Sequence, residues 1–176
     1  MTNFIDVILA RRSIGKYTDQ PVPREILETL LKAAMAAPTA MNAQPWEFVV
    51  INRSYLDRLE DILKEAFRER VAGVSEEAMR QAIKDLSLPE EESGDRLKAL
   101  GSFYRTLGGA PVAIGVCLPK EKDAWTWKNN ISDSAAAIEN LLLAAWGKGL
   151  GTCWLAGPLK ARGDRIADFL GVPQDR

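Results

Sequence analysis

The chain has 176 residues, of which 47% are hydrophobic and 27% charged, the composition of an ordinary soluble globular protein. Its 23 Lys and Arg residues nearly balance 24 Asp and Glu residues, and the net charge of -1 argues against generic binding to nucleic acid or to an anionic membrane. The absence of His removes the Ser-His-Asp triad, the Cys-His pair and every His-ligated zinc site, and two Cys are too few for an all-thiolate one, so no metal site is expected.

This length suits one domain over residues 1–176, able to bury roughly 70% of its unfolded surface without a disulfide or metal staple. Cys117 and Cys153 sit far apart in apolar runs and read as reduced thiols, buried as small hydrophobes in a cytosolic core. Phe4 to Ala10 is apolar but short, is interrupted by Asp6 and is followed by arginines, unlike a signal peptide. With no apolar run near the ~20 residues of a membrane span, the expected location is the cytoplasm.

In chain order, Asn3 to Arg11 predicts a short helix capped by Asn3, with Phe4, Val7 and Ile8 on one face. Ser13 to Val22 reads as extended or turn. Pro23 fits the first turn of a second helix that Pro38 ends, with Ile26, Leu27, Leu30, Leu31 and Ala34 at helical spacing. After a polar loop from Thr39 to Pro45, the near-continuous apolar run Trp46 to Ile51 predicts a buried strand. Ser54 and Asp57 resemble a capping box for a helix to about Arg70, whose core face is Leu56, Leu59, Leu63 and Phe67.

Beyond Gly73, a helix from Glu76 to Leu86, a charged turn from Pro89 to Gly94 and a helix from Asp95 to Leu107 are expected. Gly108 and Gly109 break that helix before a second buried strand, Ala110 to Leu118. Lys120 to Asn130 reads as a loop carrying Trp125 and Trp127. A long helix from about Ser132 to Lys148 would bury Ala135, Ile138, Leu142, Ala145 and Trp146. Gly149 and Gly151 flank the turn into a third strand, Thr152 to Ala156, and a last helix runs from a cap at Asp164 to Leu170, closed by Gly171. Helices outnumber and separate the strands, so the class is α+β or α/β with a small sheet.

Some local motifs carry no chemistry. Gly147-Lys148-Gly149-Leu150-Gly151 lacks the Gly-Lys-Ser/Thr ending of a phosphate loop and follows a helix rather than a strand, so it reads as a helix stop. Glu90-Glu91-Glu92 reads as a solvated loop.

Three segments remain. Arg11-Arg12-Ser13 could clamp a phosphate, although arginine at a helix C-terminus also simply complements the helix dipole. Ala37 to Trp46 brackets small residues and two amides between prolines; Asn42 offers donor and acceptor to a heterocycle, or satisfies the loop's own backbone. Thr152 to Pro158 leaves a strand at Gly157, where the N–H groups of Ala156 and Gly157 could point into a crevice or simply end a strand.

Taken in order, Arg11-Arg12-Ser13-Ile14 with Pro21-Val22-Pro23, the run Ala37 to Trp46, Glu139 to Ala145 and Gly149 to Trp154 resemble the nitroreductase family of FMN-dependent oxidoreductases. The resemblance covers about Ile5 to Val172. It implies an α+β fold with a central mixed sheet flanked by helices, an intertwined homodimer, and FMN in the clefts between the two copies. Arg11, Arg12 and Ser13 would hold the phosphate and ribityl end. Pro38, Thr39, Ala40 and Asn42 would line the isoalloxazine, largely from the partner subunit. The backbone of Leu155, Ala156 and Gly157 would face the flavin N5 edge.

The implied reaction is ping-pong: NADH or NADPH delivers hydride to the flavin and leaves, and a small electron-poor acceptor, a nitroaromatic or quinone, takes the electrons. No side chain is implied as catalytic, and Trp125 and Trp127 are candidates for a lid or for packing against the partner. The resemblance places a basic residue where this chain has Gly15, next to Lys16, and the family's C-terminal strand is expected to be missing after Arg176. Two other readings stay open: a flavin-binding or interaction protein with little turnover, and a relative that uses FMN for dehalogenation or flavin breakdown.

Overall fold

A computed structural model describes residues 3–75, 77–78, 81, 96–155 and 159–173. The elements are α1 (Phe4–Ala10), α2 (Arg24–Met35), β1 (Glu47–Asn52), α3 (Arg53–Val71), α4 (Arg96–Thr106), β2 (Val112–Cys117), α5 (Ala124–Gly147) and α6 (Leu159–Leu170), with short 3-10 turns at Ala40–Asn42 and Leu107–Gly109. Apart from Glu77, Ala78 and Gln81, the expected helix Glu76 to Leu86 and turn Pro89 to Gly94 lie outside the described residues.

Strands β1 and β2 pair antiparallel, with Val50 opposite Ile114 and Ile51 opposite Ala113. Side chains alternate across a strand, and here each face meets a different core. Phe48 and Ile114 pack on the cluster of Leu30, Ala34, Ala37, Ala137, Leu141 and Ala145, which joins α2 to α5. Val49, Ile51 and Ala113 belong to the cluster of Leu56, Leu59, Leu63 and Leu107, which Ile166, Phe169 and Leu170 of α6 complete. A two-stranded sheet therefore lies between two helical layers, an α+β arrangement.

Several sequence expectations change in detail. The strands are half-buried rather than buried: Val50 is 44% exposed, and in β1 Ile51 alone is buried. The expected strand Thr152 to Ala156 contributes, over its described part, one isolated parallel bridge between Ser13 and Thr152, because among the described residues no second strand runs alongside to extend the ladder. Asn52, not Ser54, caps α3; its side chain accepts from Tyr55 N at 3.2 Å and from Ser54 Oγ at 2.7 Å. Asp57 instead accepts from Arg53 Nε at 2.8 Å.

Helix α5 starts at Ala124, eight residues earlier than expected, because Asp123 accepts from both Thr126 N and Thr126 Oγ1 at 2.7 Å. Trp125 and Trp127 are thus helical rather than looped. Its buried stripe runs through Asn130, Ser134, Ala137, Leu141, Leu142 and Ala145, which leaves Ala135, Ile138 and Trp146 half-buried. Helix α6 begins at Leu159, with a break at Arg162 (φ -136°, ψ 21°) just before the expected cap at Asp164. On α1, Val7 is buried, whereas Phe4 is 66% and Ile8 42% exposed, so the expected apolar face is largely uncovered within one chain. Cys117 and Cys153 are reduced, as expected, but half-buried rather than buried.

The turn after α4 packs against the segment that leaves α1. Leu107, Gly108 and Gly109 are all left-handed, and Arg53 Nη1 holds the turn by donating to Thr106 O at 3.0 Å and Ala110 O at 3.1 Å. A Cβ on Gly108 would sit 2.2 Å from Gly15 O. Gly108→Ala therefore meets both an unfavourable φ of 64° and a backbone collision. It should cost more than the roughly 1–2 kcal/mol of a left-handed alanine alone. Gly73→Ala has φ 79° in open space and should show only that backbone cost. Urea unfolding of both variants checks the ordering.

Candidate active site

The segment after α1 is fixed by backbone contacts on two sides. Ile14 N donates to Thr152 O at 2.9 Å, and Tyr17 N donates to Gly108 O at 2.9 Å. A Cβ on Gly151 would fall 2.9 Å from Ile14 Cγ1, so glycine there allows the close approach. The Tyr17 hydroxyl donates to Ile14 O at 2.5 Å. Burial and the neighbouring Cys153 push that phenol up to about 12.

Arg11 turns toward α5, its Nε 3.6 Å from Glu139 Oε1. The same guanidinium draws the Cys153 thiol down, against the larger upward push of burial. Arg12 is exposed, and its Nη1 donates to Leu9 O and Arg11 O, both at 2.8 Å. Arg12 thus complements the end of α1, as the simpler reading of the motif has it, yet keeps most of its five N–H donors. Ser13 is exposed beside the bridge to Thr152, whose buried Oγ1 has no hydrogen-bond partner among the described residues.

The amide loop is built on left-handed backbone: Met41, Asn42 and Gln44 have φ of 53°, 57° and 45°. Gln44 Nε2 donates to Asn42 Oδ1 at 2.9 Å, and Gln44 N to Thr39 Oγ1 at 3.3 Å. The internal reading of these amides is therefore partly realised, while Asn42 itself stays exposed. Pro38 is exposed, and Thr39 and Ala40 are half-buried. Ala40 N donates to Asp133 Oδ2 at 3.0 Å, across 93 residues of chain.

In the third segment Leu155 is half-buried on the α3–α6 core rather than free to line a cleft with its side chain. Ala156 and Gly157 lie outside the described residues. Arg11–Ser13 and Thr152 are therefore brought together, whereas among the described residues no hydrogen bond joins Pro38–Asn42 to them. Both groups hang on α5, at Glu139 and Asp133. Six helical residues separate these anchors by roughly 9 Å along the axis and about 120° around it. Neither carboxylate is marked as a site residue by sequence reasoning: Glu139 figures only in a shared run, and Asp133 acts through a contact that no local pattern encodes.

The sequence model of the nitroreductase family matches residues 8–176. The chain belongs to the nitroreductase family. It is 31% identical to an Archaeoglobus fulgidus protein with a provisional NADH dehydrogenase/NAD(P)H nitroreductase name, over 99% of this chain and 80% of that one. A Bacteroides fragilis nitroreductase solved with bound FMN superposes with a TM-score of 0.67 at 26% identity, covering 99% of this chain and 83% of that one. An FMN-dependent nitroreductase from Mycobacterium smegmatis, solved with NADPH, gives 0.73 at 23% identity over 96% and 81%, a likeness of fold alone.

This nitroreductase family member keeps its Arg11–Ser13 segment in place partly through Tyr17. The raised phenol favours the protonated donor in the fold, so its contribution is complete below about pH 10 and is lost as pH rises toward 12. Tyr17→Phe should cost about 1 kcal/mol at pH 7. The gap between the two proteins should narrow above pH 10, read from urea midpoints at pH 7, 9 and 11.

Proposed function

We propose that the chain is an FMN-dependent oxidoreductase that takes electrons from NADH or NADPH and passes them, in ping-pong order, to a small electron-poor acceptor such as a nitroaromatic or a quinone. It is one flavin-binding domain over residues 1–176, working as a cytoplasmic homodimer. The observation that carries this reading is the fixed Arg11–Arg12–Ser13 segment. Two guanidiniums and an exposed hydroxyl stand beside a buried hydroxyl, Thr152 Oγ1, that has no hydrogen-bond partner among the described residues, a donor set suited to a phosphate and a polyol.

Arg11, Arg12 and Ser13 would hold the phosphate and ribityl end, with Pro38, Thr39, Ala40 and Asn42 along the ring and Leu155, Ala156 and Gly157 completing the ring side. Bound there, FMN supplies the redox chemistry. The protein's part is position and charge. Glu139 keeps Arg11 turned toward α5, so Arg12 is the freer cation for an anion. The offset between the two anchors on α5 supports a site shared between two copies. So do Phe4, Ile5, Ile8 and Leu9, between 42% and 68% exposed on α1, an apolar face that a second copy would cover.

The visible absorption spectrum of the purified protein, before and after adding FMN and desalting, tests the cofactor. Flavin bands are expected to survive desalting, and loss of all flavin after reconstitution would sink the reading. Arg12→Ala should weaken FMN binding roughly 10- to 100-fold, the size of a charge-assisted hydrogen bond. NADH and NADPH consumption with quinone and nitroaromatic acceptors tests turnover. Retained flavin without turnover would leave a flavin-binding protein instead, and product analysis would reveal dehalogenation or flavin breakdown.

A further inference from the structure

Asp133 sits well inside α5, where the helix backbone is already hydrogen-bonded and aspartate is a poor helix former. Its carboxylate is half-buried and accepts from Ala40 N at 3.0 Å. That bond lands on a costly piece of backbone. Met41, Asn42 and Gln44 are all left-handed, a conformation that asparagine tolerates but that costs Met41 and Gln44 roughly 1–2 kcal/mol each. Met41 recovers nothing by packing, since it is 92% exposed.

Such backbone persists only where its surroundings fix it. The remaining bonds of the loop are internal: Asn42 N to Thr39 O at 3.2 Å, Ala43 N to Ala40 O at 3.0 Å, and the two bonds of Gln44. They can turn as a unit with the loop. Buried Ala37 and Pro45 hold its two ends. Among the described residues, the bond to Asp133 is the one hydrogen bond that ties the loop between those ends to another element.

We infer that Asp133 is a positioning residue for the flavin: through the Ala40 N–H it holds the Met41–Gln44 stretch in the shape that presents the Asn42 amide to the ring. This rests on the flavin reading proposed above. It extends that reading to a residue that need not touch the ligand.

The test is FMN titration of the apoprotein, followed by flavin fluorescence and the position of the visible bands. The proteins compared are wild type, Asp133→Ala, Asp133→Asn and Ala40→Pro, each with a thermal melt. Asp133→Ala should weaken FMN binding about tenfold or more and shift the bound-flavin bands. Asp133→Asn keeps an acceptor oxygen and should return to within about threefold of wild type.

Ala40→Pro removes the donor while leaving the carboxylate. Thr39 already has the extended φ of -136° and ψ of 149° that precede proline, so this variant should fold and behave as Asp133→Ala does. Should Asp133→Ala not fold, Ala40→Pro decides alone. Wild-type affinity and bands in Ala40→Pro, or a loss that tracks only a lower melting temperature, would overturn the inference and leave the flavin reading standing. Failure of wild type to bind FMN would overturn the flavin reading first, and is seen before any variant is made.

Discussion

Helices α2 and α5 meet through Ala34, Ala137 and Ala145, each with no exposed surface. Alanine lets two helix backbones approach closely, and Asn140 Nδ2 uses that closeness to donate to Ala33 O at 3.2 Å. The contact is unforgiving, since a larger side chain at any of the three would push the helices apart. What it secures is the exit of α2. The chain leaves that helix at Ala36, turns through buried Ala37 and arrives at Asp133 with the N–H of Ala40. The amide loop is thus a consequence of helix packing first and of its own bonds second.

The Arg11–Ser13 segment depends on the other end of the same helix and on two glycines far from it in sequence. Gly151 permits Ile14 to lie against the backbone after α5, and Gly108 permits the Gly15 carbonyl to lie against the turn after α4. Each contact is made at a glycine backbone, so it orients the segment without using the side chains that a ligand would need. That leaves the guanidinium of Arg12 at the surface, and lets Glu139 decide where Arg11 points. The arrangement is rigid in its backbone and open in its charges, which suits electrostatic preorganisation around an anion.

The sequence speaks clearly where structure is local. Asn3 caps α1 as its position suggests, and Gly171, at φ 70°, ends α6 where a glycine reads as a stop. The core face of α3 includes Leu56, Leu59 and Leu63 in the structure as in the pattern, while the fourth buried residue is Ala66 and the expected Phe67 is half-buried. Errors arise where two polar residues compete for one role. Asn52 lies one residue before α3 and wins the cap from Ser54, and Asp123 starts α5 by gathering both donors of Thr126. The run after Thr152 is rich in strand-forming residues but, among the described residues, has only Ser13 to pair with. A strand is a property of two segments, and one segment cannot announce its lack of a partner.

The site is legible to a different degree in its parts. Arg11, Arg12 and Ser13 can be marked because their chemistry is written in their side chains. Asp133 cannot, because its role is to meet an N–H that 93 residues of chain separate from it. The exposed apolar face of α1 makes a related point. Phe4, Ile5, Ile8 and Leu9 repeat as a helix repeats when it has something to bury against, and within one chain only Val7 is buried. The pattern is amphipathic, yet the described residues of the chain leave that face uncovered. Where local sequence and single-chain burial disagree in this way, periodicity marks an apolar face without naming the surface it packs against.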